Sequence, residues 1–287
     1  IRFGDNPAAQ MEKQCFVKYC WRDSGVYDSK TDSVCINCFN KKGANIIHRC
    51  YNTVIQIYCK PGDCMKLIFV RHGEPDYKAD CLTELGKKQA KAAAERLKGE
   101  NIDEIYASPL GRARETASYL VDELGKPIHI CDFMREIGWG AKKEGDELPF
   151  NGHPWMVSQQ IAADGGDLLD VNWADGKYFN KSIVGKRVRE VQSGIDAFLE
   201  EMGFRHEYPY FSCIKPNGKT IALFSHAGSS TAALAHILNL PFPYLCVTCE
   251  PLFTAITVLE FDESGKKSIP RVLLLNDSRH IETCEII

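Results

Sequence analysis

The chain has 287 residues, of which 44% are hydrophobic and 25% charged, and its formal net charge is −3. This composition is typical of a soluble globular protein, and the small charge gives no electrostatic reason to expect nucleic acid or an anionic membrane as a partner. The chain has neither the uninterrupted apolar run of a transmembrane helix nor a basic-then-apolar secretory signal, so we expect a cytoplasmic protein.

Residues 1–64 differ in kind from the rest of the chain. They contain 7 of the 13 cysteines and no leucine, whereas residues 65–287 contain 21 leucines. We therefore predict a poorly ordered extension, or translated sequence upstream of a start at Met65, followed by one folded domain. The alternative is a zinc module, because a C-x2-C pair aims two sulfurs at one ion. Its candidate ligands are Cys15, Cys20, Cys35 and Cys38, with His48 and Cys50 as alternates.

From Met65 onward, strand and helix patterns alternate. The short apolar run Lys66–Val70 predicts a buried strand. Thr83 predicts the N-cap of a helix that runs to about Lys98 and stops at Gly99. Further segments are predicted as a strand over Asp103–Ala107, a helix opened by Ser108-Pro109 and stopped at Gly125, and a strand over Ile128–Cys131.

The second half of the domain continues this alternation after an irregular segment. Residues 138–180 contain seven glycines and three tryptophans, which predict a loop-rich cap. A clean helical period follows over Ser182–Met202. The remaining predicted elements are the strand Ile221–Ser225, the helix Thr231–Asn239 and the strands Thr254–Phe261 and Arg271–Leu275. This order predicts an α/β fold with three α/β/α layers, in which helices cover both faces of a mostly parallel sheet.

Four basic side chains follow the predicted strands. Arg71 and His72 come directly after the first strand, Arg112 lies in the helix turn after the second, and His226 directly follows Ile221–Ser225. Ligands of such sheets gather at the carboxyl ends of the strands, so we expect these side chains to converge. Two guanidinium groups and two imidazoles at one crevice predict a site for a phosphate dianion.

Two further features concern this phosphate chemistry. The predicted helix N-termini at Ser108 and Ser229 add backbone N–H groups and positive dipole ends. The sequence has no G-x4-G-K-S/T loop and no carboxylate pair suited to Mg²⁺. We therefore expect chemistry that needs neither a metal nor another cofactor.

Five motifs carry a family resemblance: LIFVRHGEPDY, LTELGKKQA, SPLGRARETA, MREIGWG and FSHAGSS. Their order and spacing resemble the histidine phosphatase superfamily, whose fold is phosphoglycerate mutase-like. The resemblance runs from about Met65 to about Leu275 and does not include residues 1–64. The RHG triplet alone is a weak signal, and the other motifs in the right places make it strong.

The resemblance implies roles for particular residues. His72 would attack phosphorus and become a phosphohistidine, while Arg71 and Arg112 clamp the phosphoryl oxygens and His226 binds them from the other side. Glu136 matches the family's proton donor and acceptor. The RHG and SHAG motifs also place Gly73 and Gly228 at the phosphate.

Some residues compete for these roles or receive none. Glu74 and Asp76 follow His72 closely enough to be alternative acids to Glu136. Arg114 stands beside Arg112, but the motif selects Arg112 and leaves Arg114 on a solvated face. Four histidines are expected to have no catalytic role: His129, His206, His236 and His280.

Hydrolysis and mutase chemistry share this site. Phosphoglycerate mutases resemble RHGxSxWN followed by a phenylalanine-glycine-tryptophan stretch, whereas this chain reads RHGEPDYKADCLTELG. The departure favours a metal-independent phosphomonoesterase acting on a small phosphorylated metabolite. Mutase activity and a catalytically silent phosphate-binding module are the alternatives. The sequence indicates neither the particular phosphomonoester nor the oligomeric state.

Overall fold

The computed structural model describes residues 37–39, 45–47, 64–263 and 267–282. The chain divides into two compact units, Ile1–Tyr58 and Cys59–Ile287. In the first unit, strand β1 (Asn37–Phe39) pairs antiparallel with strand β2 (Asn45–Ile47). The side chains of the candidate zinc ligands lie outside the described residues, so the predictions for residues 1–64 remain predictions.

The second unit carries the elements predicted from Met65 onward and several more. Its described strands are β3 (Cys64–Arg71), β4 (Pro75–Asp76), β5 (Cys81–Leu82), β6 (Glu104–Ala107), β7 (Ile128–Ile130), β8 (Phe204–Glu207), β9 (Tyr210–Cys213), β10 (Thr220–Ser225), β11 (Ile256–Asp262) and β12 (Arg271–Asp277). Its described helices are α1 (Glu84–Leu97), α2 (Gly111–Leu124), α3 (Pro154–Ala163), α4 (Val184–Glu201), α5 (Ala227–Ile237), α6 (Phe242–Thr248) and α7 (Arg279–Glu282).

One six-stranded sheet organises this unit, in the order β12-β11-β3-β10-β6-β7. The pairings of β10 with β3, of β10 with β6 and of β6 with β7 are parallel. β11 runs antiparallel to both β3 and β12, so the two closing strands form the antiparallel edge of a mixed sheet. The prediction of a mostly parallel sheet is confirmed.

Helices cover both faces of the sheet, as predicted. Successive side chains of a strand point to opposite faces. In β3, Leu67 and Phe69 therefore pack in a core with residues of α4 and α5, whereas Ile68 and Val70 pack in a second core with residues of α1 and α2. Burial on both faces explains why this strand is a continuous apolar run.

Three residues were predicted from the sequence to begin or end α1 and α2: Thr83, Ser108 and Gly125. Thr83 caps α1, since its hydroxyl accepts a hydrogen bond from the N–H of Gly86. Gly125 ends α2 in the left-handed conformation, with a φ of 67°. The prediction that Ser108 caps α2 is wrong, because the N-cap of α2 is Leu110 and its side chain makes no capping bond.

The segment 138–180, which was predicted as a loop-rich cap, combines irregular stretches with short helices. The segment contains the ten-residue helix α3 and two short 3₁₀ helices, Pro149–Gly152 and Trp173–Asp175. Trp155 lies in the core, and the ring of Trp173 lies 5.0 Å from that of Phe179 between centroids. Both tryptophans therefore pack against apolar neighbours.

The hairpin of β8 and β9 and the helix α6 were not predicted. α5 begins four residues before its predicted start, at Ala227 rather than Thr231. Among the described residues, no single helix is long and apolar enough to cross a membrane, although α5 and α6, bent by 117°, meet the length and composition criteria as a pair.

A protein that begins at Met65 is expected to fold and to keep the full activity of the longer chain. The six-stranded sheet and both of its helical layers lie within the second unit. Circular dichroism and turnover of the shortened and full-length proteins provide the measurement. An insoluble or inactive shortened protein would contradict this prediction.

Candidate active site

The polar side chains meet where three parallel strands end. β3 ends at Arg71 and β10 at Ser225, and these two residues are partners in the sheet register. The N–H of His72 donates to the carbonyl of Ser225 at 3.0 Å, and the N–H of Ser108 donates to that of Phe224 at 2.9 Å. Residues that follow β3, β6 and β10 are therefore held at one edge of the sheet, as expected for a strand-end site.

The ring of His72 is held in one tautomer. Its Nδ1 lies 2.7 Å from the carbonyl oxygen of Gly73. A carbonyl only accepts hydrogen bonds, so Nδ1 carries the proton and Nε2 carries a lone pair. The Nε–H of Arg112 donates to this Nε2 at 3.4 Å. The arrangement presents a neutral imidazole with its nucleophilic nitrogen beside a guanidinium group.

The charge state of His72 suits a nucleophile. The side chain is 1% exposed, and this burial lowers its pKa to about 3. The positive charges of Arg71 and Arg112 lower the pKa further, while the bond to Gly73 opposes them. The imidazole is therefore neutral at neutral pH, and its lone pair is available.

His226 lies beside His72, with 5.1 Å between the ring centroids. Its Nε2 is 2.8 Å from the hydroxyl of Ser108. Burial lowers its pKa to about 2, and the positive charges of Arg112 and Arg71 act in the same direction. Its buried Nδ1 has no hydrogen-bond partner among the described residues, and an unpaired buried polar atom is suited to a ligand.

Arg112 projects from the first turn of α2 and is anchored by Asp80. Its Nη1 donates to Oδ1 of Asp80 at 2.6 Å, and the N–H of Gly111 donates to Oδ2 at 2.6 Å. Burial alone would raise the pKa of Asp80, but the bonds from Gly111 and Arg112 hold it below the ordinary value. Asp80 thus positions the guanidinium group, a role that the sequence analysis missed.

Arg71 is oriented by the loop before β11. Its Nη1 donates to the carbonyl of Pro251 at 2.5 Å, and its guanidinium carbon lies 4.2 Å from the centre of the Phe253 ring. Its buried Nε has no partner among the described residues. A donor of this kind is suited to an anionic ligand. Arg114, by contrast, is exposed, as the sequence analysis expected.

Glu136 lies at the N-terminus of α5. Its Oε1 accepts from the N–H of Ile137 at 2.9 Å and from that of Ser229 at 3.2 Å. Burial of the carboxyl raises its pKa, against these two bonds and the charges of Arg71 and Arg112. A carboxyl with a raised pKa keeps its proton at higher pH and is suited to donate it.

The two alternative acids make other contacts. Oε1 of Glu74 accepts from the hydroxyl of Thr83 at 2.8 Å, at the start of α1. Oδ1 of Asp76 accepts from the N–H of Lys78 at 2.9 Å and from that of Ala79 at 3.1 Å, in an exposed turn. Both carboxylates thus support local backbone structure, whereas Glu136 lies beside the helix that begins after His226.

Steric crowding also explains why the two motif positions 73 and 228 are glycines. A Cβ on Gly73 would lie 2.5 Å from the carbonyl oxygen of Gly86, and a Cβ on Gly228 would lie 2.5 Å from Oε1 of Glu136. The N–H of Gly73 donates to the hydroxyl of Thr116 at 3.1 Å. Gly73 lets α1 lie close to the segment after β3, and Gly228 lets Glu136 lie close to α5. The roles of the two glycines in substrate binding remain predictions.

Gly228→Ala is expected to lower kcat by about 10²-fold, because a new methyl group would displace the Glu136 carboxyl and a shift of about 1 Å in a catalytic group can cost this much. Gly99→Ala is the matched control, since nothing lies within 4 Å of its added Cβ. Steady-state kinetics of both variants provide the measurement. Equal activity of the two would contradict the prediction.

Together these groups define a class of site. A neutral imidazole, two guanidinium groups, a second imidazole and a protonatable carboxyl converge at the strand ends. The imidazole is a competent nucleophile, and the cations neutralise the oxygens of a transferring phosphoryl group. The site is therefore suited to phosphoryl transfer through histidine.

Comparison with known sequences agrees with this class. The family description of the histidine phosphatase superfamily (branch 1) matches residues 67–277. The chain belongs to this superfamily, as its motifs predicted. The probable phosphoglycerate mutase GpmB of Enterobacter sp. (strain 638) is 26% identical over 189 residues, which are 62% of this chain and 76% of the relative.

Solved structures share the fold. A phosphoserine phosphatase from Entamoeba histolytica, solved with 3-phosphoglyceric acid, is 24% identical with a TM-score of 0.52, over 76% of this chain and 99% of the other. A mycobacterial glucosyl-3-phosphoglycerate phosphatase is 22% identical with a TM-score of 0.50, over 74% and 99%. At these identities the likeness shows a phosphoglycerate mutase-like fold alone.

Proposed function

We propose that this protein is a metal-independent phosphomonoesterase that hydrolyses a small phosphorylated metabolite through a phosphohistidine on His72. The observation that carries the proposal is the state of the His72 ring. Its Nδ1 donates to Gly73, which leaves the Nε2 lone pair next to the guanidinium group of Arg112. A nucleophile prepared in this way needs no separate base to remove a proton.

In the first step, Nε2 of His72 attacks phosphorus, and the bond from phosphorus to the ester oxygen breaks. Arg71, Arg112 and His226 hold the phosphoryl oxygens while charge builds on them. Glu136 gives its proton to the leaving oxygen, because an alkoxide leaves poorly without one. The products are the free alcohol and the phosphohistidine.

In the second step, water attacks the phosphohistidine. Glu136, now a carboxylate, accepts a proton from the water as the oxygen–phosphorus bond forms. The phosphorus–nitrogen bond breaks, and its electron pair returns to Nε2 of His72. Inorganic phosphate is released, and the starting protonation states are restored.

The positive charge for this chemistry comes from side chains. The two guanidinium groups take the place that Mg²⁺ has in many other phosphoryl-transfer enzymes. Asp80, the acidic partner of Arg112, already accepts hydrogen bonds from Arg112 and Gly111. Both observations support metal-independent hydrolysis.

A mutase is the second candidate. It is favoured by the 26% identity to a probable phosphoglycerate mutase. The sequence RHGEPDYKADCLTELG, which lacks the tryptophan-asparagine pair of true mutases, favours the phosphatase. The two reactions share the phosphohistidine and differ in whether water or a second hydroxyl accepts the phosphoryl group.

The test is a panel of phosphomonoesters that includes 3-phosphoglycerate, assayed with a chelator and no added metal. We expect stoichiometric release of inorganic phosphate from at least one member. Isomerised product without phosphate release would support the mutase. A protein that binds phosphate but shows neither turnover nor phosphoenzyme would be a silent binding module. Hydrolysis that the chelator abolishes, while circular dichroism shows an unchanged fold, would overturn the metal-independent mechanism.

A further inference from the structure

Three side chains converge outside the active site: Asp196 of α4, His206 of β8 and His236 of α5. Nδ1 of His206 lies 3.1 Å from Oδ1 of Asp196, and Nε2 of His236 lies 2.8 Å from Oδ2. The two ring nitrogens are 3.2 Å apart. No role was predicted for either histidine, and the proposed reaction uses none of the three.

This cluster is separate from the phosphate site. His226 stands immediately before α5, and His236 lies in its last turn. Ten residues of helix span about 15 Å, so the two sites lie at opposite ends of α5.

We propose that Asp196, His206 and His236 form a binding site for a divalent transition-metal ion of the zinc type. Bonds of 2.0–2.1 Å in a tetrahedral zinc site place neighbouring ligand atoms about 3.3 Å apart. The two ring nitrogens are 3.2 Å apart, and each lies 2.8 or 3.1 Å from a different oxygen of the Asp196 carboxylate, which are distances close to this value. Two imidazoles and a carboxylate suit zinc and its transition-metal neighbours better than Mg²⁺ or Ca²⁺.

Hydrogen bonding alone satisfies this arrangement poorly. If both histidines donate to Asp196, their two N–H groups face each other at 3.2 Å. If one nitrogen lacks its proton, a lone pair faces a carboxylate oxygen instead. A cation at the centre removes the conflict, because both nitrogens then present lone pairs to it.

The ring of His206 is also held in place before an ion binds. The ring of His206 stacks on Phe211 at 4.3 Å with an interplanar angle of 3°. The side chains of His206 and His236 are 10% and 21% exposed, whereas that of Asp196 is 39% exposed. The more open side at Asp196 provides a route for the ion and a position for a water as fourth ligand.

An ion bound here would join α4, β8 and the C-terminal end of α5. The other end of α5 carries Ser229, whose N–H bonds to Glu136. The proposed role of the ion is therefore to brace the helix that supports the active site, with no part in the chemical step.

The test is zinc titration of the full-length, metal-stripped protein in competition with a chromophoric chelator. We expect His206→Gln, His236→Gln and Asp196→Asn each to lose one equivalent of zinc that the unsubstituted protein binds. His129→Gln is the matched control, since His129 is exposed on β7, outside the cluster. His72→Ala should also keep that equivalent, which separates this site from the active-site imidazoles.

Two further readouts separate the cluster from the 13 cysteines of the chain. Cobalt at the cluster should give visible d–d bands without the near-ultraviolet band of a cobalt–thiolate bond. Zinc should raise the thermal midpoint of the His129→Gln control but not of His236→Gln, because a ligand that binds only the folded state stabilises it.

Equal zinc stoichiometry in His236→Gln and His129→Gln would overturn the proposal and leave the cluster as a hydrogen-bonded network. Failure of His236→Gln to fold would leave Asp196→Asn, at the more exposed position, to decide. None of these measurements uses enzymatic activity. Their outcome therefore tests the metal site separately from the proposed reaction.

Discussion

Replacing His72 with alanine is expected to abolish turnover and phosphoenzyme formation together. The substitution removes the Nε2 lone pair that lies beside Arg112, and no other group in the proposed mechanism attacks the phosphorus of the ester. Loss of the nucleophile from a covalent mechanism lowers kcat by roughly 10⁴-fold or more. Phosphate release measures turnover, and quenching in alkaline detergent after mixing with a radiolabelled phosphomonoester measures the phosphoenzyme.

The matched control is His129→Ala, which removes an exposed imidazole from β7. It should keep both turnover and the label, and the label on the unsubstituted protein should be labile to acid and stable to alkali, as a phosphohistidine is. Circular dichroism establishes that His72→Ala is folded. A folded His72→Ala protein that still becomes labelled would show that another residue is the nucleophile.

Replacing Glu136 with glutamine is expected to lower kcat for alkyl phosphates by roughly 10²–10⁴-fold, the usual contribution of a positioned general acid. The loss should be much smaller for the first step with p-nitrophenyl phosphate, because a nitrophenolate leaves without a proton. Burst kinetics with both substrates separate formation of the phosphohistidine from its hydrolysis. Glutamine keeps the hydrogen bonds from Ile137 and Ser229 and removes only the acid.

The control for this substitution is Glu74→Gln, since Glu74 is the competing acid in the sequence. Its carboxylate bonds to the hydroxyl of Thr83, so we expect at most a several-fold change in kcat. A larger loss in Glu74→Gln than in Glu136→Gln, with the same dependence on leaving group, would assign the acid to Glu74.

The pH dependence provides a further readout of Glu136. Burial raises the pKa of this carboxyl, so the protonated form persists above the ordinary range for glutamate. Formation of the phosphohistidine from alkyl phosphates should therefore fall as pH rises through that raised pKa, because a carboxylate cannot donate. The fall should be absent in Glu136→Gln. An unchanged basic limb in this variant would contradict the assignment.

Local sequence signals predicted much of the sheet and of the site. The apolar run before Arg71, the cap at Thr83 and the stop at Gly125 depend on residues a few positions away. The antiparallel edge at β11 was not predicted, because strand direction depends on the path of the chain between strands.

The error at Ser108 has a definite cause. A serine followed by proline resembles a helix start, but α2 begins three residues later, at Gly111. The hydroxyl accepts from the N–H of Leu110 at 3.3 Å, before the helix begins, and it lies 2.8 Å from Nε2 of His226, a residue 118 positions away in sequence. The Ser-Pro pattern gives the residue types but not the distant partner of the hydroxyl. For this reason Ser108, which contacts His226 in the candidate site, was predicted to be a helix cap.

The sequence by itself determined the α/β class, the family and the set of basic residues at the strand ends, because periodicity, caps and short motifs are properties of neighbouring residues. Only the tertiary structure decided which polar atoms from distant parts of the chain meet. Asp80 with Arg112 and Asp196 with His206 and His236 are pairings of this kind. Hydrogen bonds need their partners within about 3 Å, and for distant residues that separation is set by the folded path of the chain.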